Sequence, residues 1–177
     1  TDIAVDIDAA NNAVDVKSST LSHSQTRAVD IGADDYTPTI NKNTISDNEE
    51  GIQISGNPSN TVTIQQNDIT GTNNLALDIN DGSQNVNADK NWWNASTGPD
   101  VNSLSGNPDK YGEGETIDAG NNLALSDGSL QIAPWYDAPV SQGTQVNAIT
   151  GQITAALGGN YEGNVTFFVN GTSARTE

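Results

Sequence analysis

Apolar residues recur along this chain in alternating pairs at a fixed interval. Val5/Ile7, Val29/Ile31, Ile52/Ile54 and Leu77/Ile79 each read apolar, polar, apolar, and the phrases that carry them, AVDI at Ala4, AVDI at Ala28, GIQI at Gly51 and ALDI at Ala76, start 24, 23 and 25 residues apart. Period-two alternation marks short strands with one buried face. A second register is stricter. AVDVKSSTLSHS from Ala13, TPTINKNTISDN from Thr37, TVTIQQNDITGT from Thr61 and NVNADKNWWNAS from Asn85 each begin 24 residues after the last. Their second column is Val14, Pro38, Val62, Val86, their fourth Val16, Ile40, Ile64, Ala88, and their ninth Leu21, Ile45, Ile69, Trp93.

Each repeat therefore holds two or three short strands, and one repeat cannot bury its apolar face alone. Stacking like columns about 4.8 Å apart buries them in a continuous core, which predicts an all-β parallel β-helix of about four 24-residue coils over 1–97. The slack of one residue falls in the connecting turns. A polar column supports the same stack. Ser19, Asn43, Asn67 and Asn91 occupy one position, where asparagine side chains can hydrogen-bond up a ladder and where asparagine also tolerates the left-handed backbone of a tight corner. Pro38 lacks an N–H in an apolar column, so a local irregularity is expected there.

The phrases GIQISGN (Gly51 to Asn57) and NTISDN (Asn43 to Asn48) resemble the right-handed parallel β-helix repeats of the pectin-lyase-like superfamily. After them come KNWWNASTGP (Lys90 to Pro99), a Gly-rich polar stretch, and LQIAPWYDAP (Leu130 to Pro139). Together these look like the end of the β-helix in large exported prokaryotic repeat proteins, except that Asn94 stands where that phrase usually has Gly. The resemblance implies a loop and a closing strand over 98–139, and origin in a secreted or cell-surface protein. Residues 100 to 128 read as loop, and the abrupt start inside the repeat suggests a fragment of a longer parent. From Val140 the pattern changes to VNAITGQITAAL and NVTFFVNGT, which resembles the opening strands of a bacterial immunoglobulin-like module. The segment 140–177 is accordingly expected to be a β-strand tail or a partial module, since such a sandwich needs roughly 100 residues.

Composition narrows the function. The formal net charge is −17, from 23 acidic and 6 basic residues, which argues against a nucleic-acid partner. Acidic balance fits plain solubility, a surface solvated in high salt, or divalent-cation sites. Without cysteine there is neither disulfide nor thiol chemistry. No apolar run approaches the roughly 18 residues of a membrane span.

Lyases of the superfamily that the repeat resembles need a Ca²⁺-binding carboxylate cluster with an Arg or Lys base, and its hydrolases need two or three close Asp. The basic residues are Lys17, Arg27, Lys42, Lys90, Lys110 and Arg175, none in a phrase that suggests catalysis. Asp6, Asp30, Gln53 and Asp78 share a column, which brings Asp6 and Asp30 to about 5 Å; carboxylates that close repel unless a cation bridges them or their pKa rises. With Asn80 and Asp81 of the DINDG turn they form the candidate calcium set, calcium being the one cofactor the sequence suggests. Asp34 and Asp35 read as a solvated turn. His23, beside Ser22 and Ser24, reads as an exposed turn residue, since neighbours on one turn do not make a triad. Trp92, Trp93 and Trp135 with Tyr136 could close the last coil as an apolar lid; as a platform for sugar rings they form the candidate carbohydrate site. Asn94, Asn164 and Asn170 begin N-x-[ST] sequons and are candidate glycosylation sites.

The leading expectation is a non-catalytic structural or adhesive segment of a surface protein, whose partners are neighbouring modules or copies of itself, as in a filament or surface layer. The rivals are a fragment of a Ca²⁺-dependent polysaccharide lyase or hydrolase, and a carbohydrate-binding module.

Overall fold

The structure, a computed structural model, describes residues 2–8, 14–32, 37–56, 61–80, 85–102, 112–118, 130–146, 166–169 and 172–176. Among these there is no helix, hence none long and apolar enough to cross a membrane. The strands are β1 Ile3–Ile7, β2 Asp15–Lys17, β3 Thr20–Ser22, β4 Arg27–Ile31, β5 Thr39–Asn41, β6 Thr44–Ser46, β7 Glu50–Ile54, β8 Val62–Gln65, β9 Asp68–Thr70, β10 Leu77–Ile79, β11 Val86–Asn87, β12 Asp100–Asn102, β13 Thr116–Asp118, β14 Leu130–Gln131, β15 Trp135–Tyr136, β16 Gln145–Val146, β17 Thr166–Val169 and β18 Thr172–Thr176.

The first fourteen strands form three parallel sheets, and each of the first three coils gives one strand to each sheet. The first sheet runs β1-β4-β7-β10-β13-β12, the second β14-β11-β8-β5-β2 and the third β3-β6-β9, which Trp92 extends through a bridge to Asp68. The columns read from the sequence are the registers that form. Val5, Val29, Ile52 and Leu77 pair in turn across the first sheet, Val16, Ile40 and Ile64 across the second, and Leu21, Ile45 and Ile69 across the third. From the second coil on these side chains are fully buried, in one cluster that runs on through Trp93 to Ile117, Leu130 and Trp135. Burying one such side chain is worth about 1.5–3 kcal/mol, so the stack is held mainly by this core.

The corners are more exact than the turns between sheets. Ser18, Lys42, Gln66 and Lys90, 24 residues apart, all have positive φ near 55°, and His23, Asp47, Gly71 and Asn94 form a second such column. The left-handed corner thus falls one residue before the asparagine column and not on the asparagines themselves, which corrects the expectation from their type. The asparagines have another task. The Ser19 N–H donates to Asn43 Oδ1 at 3.0 Å, the Asn43 N–H to Asn67 Oδ1 at 2.9 Å and the Asn67 N–H to Asn91 Oδ1 at 2.9 Å. Each Nδ2 donates to a carbonyl of the coil before, that of Val16, Ile40 or Ile64. A shorter ladder repeats this at the other corner, where the Ser24 N–H donates to Asn48 Oδ1 at 2.9 Å and Asn48 Nδ2 to the Leu21 carbonyl at 3.0 Å. Pro38 disturbs little: β5 starts at the next residue, the Pro38 carbonyl accepts the Thr63 N–H at 3.0 Å, and Thr39 pairs with Thr63 in register.

Two strands lie inside the stretch 100–128 that reads as loop. β13 pairs with β10, and β12, which precedes it in sequence, pairs with the far side of β13. Beyond β14 the strands are antiparallel: β15 with β16, and β17 with β18 on either side of Asn170-Gly171. The Val140 N–H reaches back to Asp68 Oδ1 at 2.6 Å, tying the tail to the third sheet.

Candidate functional site

The acidic column of the first sheet forms as spaced. Asp6 pairs with Asp30, Asp30 with Gln53, Gln53 with Asp78, and Asp78 with Asp118. Two of its carboxylates, Asp30 and Asp78, have polar partners from their own or neighbouring coils. Arg27 Nη1 lies 2.9 Å from Asp30 Oδ2, Arg27 Nε 3.0 Å from Glu50 Oε2, and Ser55 Oγ donates to Asp30 Oδ1 at 2.9 Å. Asn74 Nδ2 in turn donates to Glu50 Oε1 at 3.1 Å. One guanidinium therefore joins the second coil to the third, and Asn74 adds the fourth. Farther down, Gln53 Nε2 donates to Asp78 Oδ2 at 2.6 Å. Burial raises the pKa of Asp78; the Gln53 hydrogen bond opposes this, the charges of Glu50 and Asp118 add to it, and Arg27 opposes it. Of the candidate calcium set, then, Asp6, Asp30 and Asp78 share one column but Gln53 separates Asp30 from Asp78, Asn80 is exposed at the end of β10, and Asp81 lies outside the described residues. Among the described residues no three His, Cys, Asp or Glu side chains converge in a way that could hold a metal ion.

The same economy governs two acids that the sequence did not single out. Asp89 is buried between coils, where it accepts from Gln65 Nε2 on one oxygen and from Gln131 Nε2 at 3.1 Å on the other, with Lys90 Nζ at 3.4 Å. Glu115 replaces the asparagine that the shorter ladder lacks at its next level. Its carboxylate accepts the Gly71 N–H at 2.6 Å, the Thr72 N–H at 3.2 Å, the Thr72 hydroxyl and Asn94 Nδ2 at 3.1 Å. Glu115 lies outside the repeat, so no period could reveal it.

The tryptophans divide. Trp93 is 0% exposed beneath the Leu21, Ile45, Ile69 column, and Trp135 is 6% exposed, its ring against Gly98 and its Nε1 donating to the Ser96 carbonyl at 3.1 Å. Of the candidate sugar platform, Trp93 and Trp135 thus present no open face, and Trp92 is half-exposed. Asn94 is exposed on its left-handed corner; Asn164 and Asn170 lie outside the described residues, as do Asp34 and Asp35. His23 is exposed on the same corner column. A shallow cavity of about 250 Å³ between the tail and the third sheet is lined by Lys42, Gln66, Asp68, Val140 and Ser141, and holds one carboxylate and one ammonium.

Residues 4–93, half of the chain, match the family model described as "Right handed beta helix region". The chain belongs to the right-handed β-helix family. No curated protein and no solved structure matches it. For this right-handed β-helix the family and the geometry agree on architecture: in-register parallel coils, three sheets, one apolar interior. Its side-chain ladders, Asn43–Asn67–Asn91 above all, tie one coil to the next.

Proposed function

We propose that this chain is a non-catalytic structural or adhesive segment of a secreted cell-surface protein, a stiff β-helical rod that joins neighbouring modules or copies of itself in a filament or surface layer. One observation carries the reading. Several carboxylates and amides bond from coil to coil, in the Arg27–Asp30–Glu50, Gln53–Asp78, Gln65–Asp89–Gln131 and Glu115 contacts, which supports reading them as ties that hold the rod together. Of the bases a lyase would need, Arg27, Lys17 and Lys90 are each ion-paired to a carboxylate. An exposed sequon at Asn94 suits glycosylation of an extracellular surface. Negative-stain electron microscopy of the native assembly tests the proposal: ordered filaments or lattices support it, and monodisperse single particles at all concentrations count against it.

The rival, a fragment of a polysaccharide lyase or hydrolase, has one observation in its favour. Asp78 and Asp118 are neighbours on the outer column and the pKa of Asp78 is raised, as a general acid requires. A chain of net charge −17 repels an acidic polysaccharide unless calcium intervenes. Release of unsaturated sugars from pectin or alginate would establish the rival. Titration calorimetry with Ca²⁺ tests the cation itself, and absence of heat at millimolar calcium removes it from the account.

A further inference from the structure

The first sheet departs from sequence order at one place, and the period shows what has been displaced. Strands in the first four coils are 23 to 25 residues apart, and Val101 and Asn102 stand 24 residues after Leu77 and Asp78. By period, β12 is the strand that should lie beside β10. Instead β13 occupies that slot, pairing Ile117 with Leu77 and Asp118 with Asp78, while β12 is one place farther out, with Val101 on Ile117 and Asn102 on Asp118. The two strands offer the slot the same pattern, an aliphatic residue at the core position followed by a polar one.

We infer that β12 and β13 exchange places beside β10, so that this end of the β-helix has two states, ordered β10-β13-β12 and β10-β12-β13. Opposed interactions balance them. β13 brings Glu115, whose carboxylate closes the corner of Gly71, Thr72 and Asn94, and a hydrogen bond from the Ala76 N–H to the Thr116 carbonyl at 2.8 Å. Against it, β13 sets Asp118 beside the half-buried Asp78, two like charges side by side, where β12 would set the neutral Asn102. The exchange moves each strand by one strand spacing, about 4.8 Å. Exchange also opens the corner that Glu115 closes. The outermost edge of the sheet, where another chain could add a strand, then changes from Asp100–Asn102 to Thr116–Asp118.

The chain has no cysteine, which makes the exchange directly readable. In the β10-β13-β12 order, positions 78 and 102 lie two strands apart, about 9.6 Å, and a disulfide cannot span Cα atoms more than about 7 Å apart. The double variant Asp78→Cys/Asn102→Cys therefore oxidises in the folded protein only when β12 takes the slot; Asp78→Cys/Asp118→Cys oxidises in the order described and serves as control. Both pairs are expected to close, the first more slowly, with a rate independent of protein concentration and unchanged by dilute urea well below the unfolding midpoint. Adding Glu115→Gln is expected to speed it on the order of tenfold, since charge-assisted hydrogen bonds hold β13 in place. If Glu115→Gln fails to fold, the comparison of the two pairs in the parent background stands alone. A pair at 78 and 102 that stays reduced while the control closes, or that closes only at urea concentrations that unfold the chain, overturns the inference.

Discussion

Replacing Asn67 with alanine removes four hydrogen bonds from the middle of the ladder at a site with no access to water. Asn67 Oδ1 accepts from the Asn43 N–H at 2.9 Å and from Asn43 Nδ2 at 3.0 Å, and Nδ2 donates to the Ile40 carbonyl at 2.9 Å and to Asn91 Oδ1 at 3.0 Å. The neighbours are unequally harmed. Asn43 Nδ2 keeps the Val16 carbonyl, and Asn91 Oδ1 keeps the Asn67 N–H, whereas the buried Asn43 N–H loses its acceptor. The three bonds other than that of the Asn43 N–H, taken at the low end of about 0.5 kcal/mol each, and the orphaned buried donor at about 1–3 kcal/mol together predict a destabilisation centred on about 3–4 kcal/mol. With a urea m-value of about 2 kcal/mol/M, the unfolding midpoint falls by about 1.5–2 M at unchanged slope. The fluorescence of the buried Trp93 reports the transition. The control is Asn73→Ala, whose side-chain bond to Glu49 Oε2 at 3.2 Å is exposed and worth within about 0.5 kcal/mol. Equal midpoints for the two variants would refute the ladder as a source of stability.

Gly98→Ala should cost about 2–4 kcal/mol in the same titration, because φ there is +88° and a Cβ would sit 2.6 Å from the buried ring of Trp135; a loss below about 1 kcal/mol would show that the ring is not seated there. Because the pKa of Asp78 is raised on folding, its ionisation counts against the native state as pH rises from the unfolded value through the folded one. Asp78→Asn is therefore expected to gain stability over the parent at neutral pH, with the gap closing as pH falls into the ordinary carboxylate range; a constant gap from pH 3 to 7 contradicts this. With a net charge of −17, the melting temperature should rise between 0.05 and about 1 M NaCl as self-repulsion is screened. A flat or falling curve would mean that the surface charges are already balanced by their local partners.

The stack was legible because its cause is repetitive. An exact period forces like residues onto like residues, so Val16, Ile40 and Ile64, or Asn43, Asn67 and Asn91, declare their neighbours without any knowledge of the turns. Corner conformation was harder to read, because the left-handed positions hold Ser18, Lys42, Gln66 and Lys90, residues of no common chemistry, and the asparagine beside them is the one type that suits both roles. Where the period ends, legibility ends with it. Glu115 closes a corner 43 and 44 residues away, and β13 enters the sheet ahead of β12, choices made by particular contacts that leave no repeat in the chain. Trp93 was placed in the right column by its spacing; its complete burial comes with an apolar cluster that continues past it through Val101, Ile117, Leu130 and Trp135.

Native-state hydrogen exchange followed by NMR tests the in-register stack most directly. If coils are stacked as described, the amides of Asn43 and Asn67, which donate to the asparagine one coil on, and those of Ile52 and Ile69, which donate to the Ala76 and Trp92 carbonyls, exchange together and only through global unfolding. Ladder amides that exchange at the rate of unprotected ones, while amides elsewhere are slow, would contradict the fold on which the rest depends.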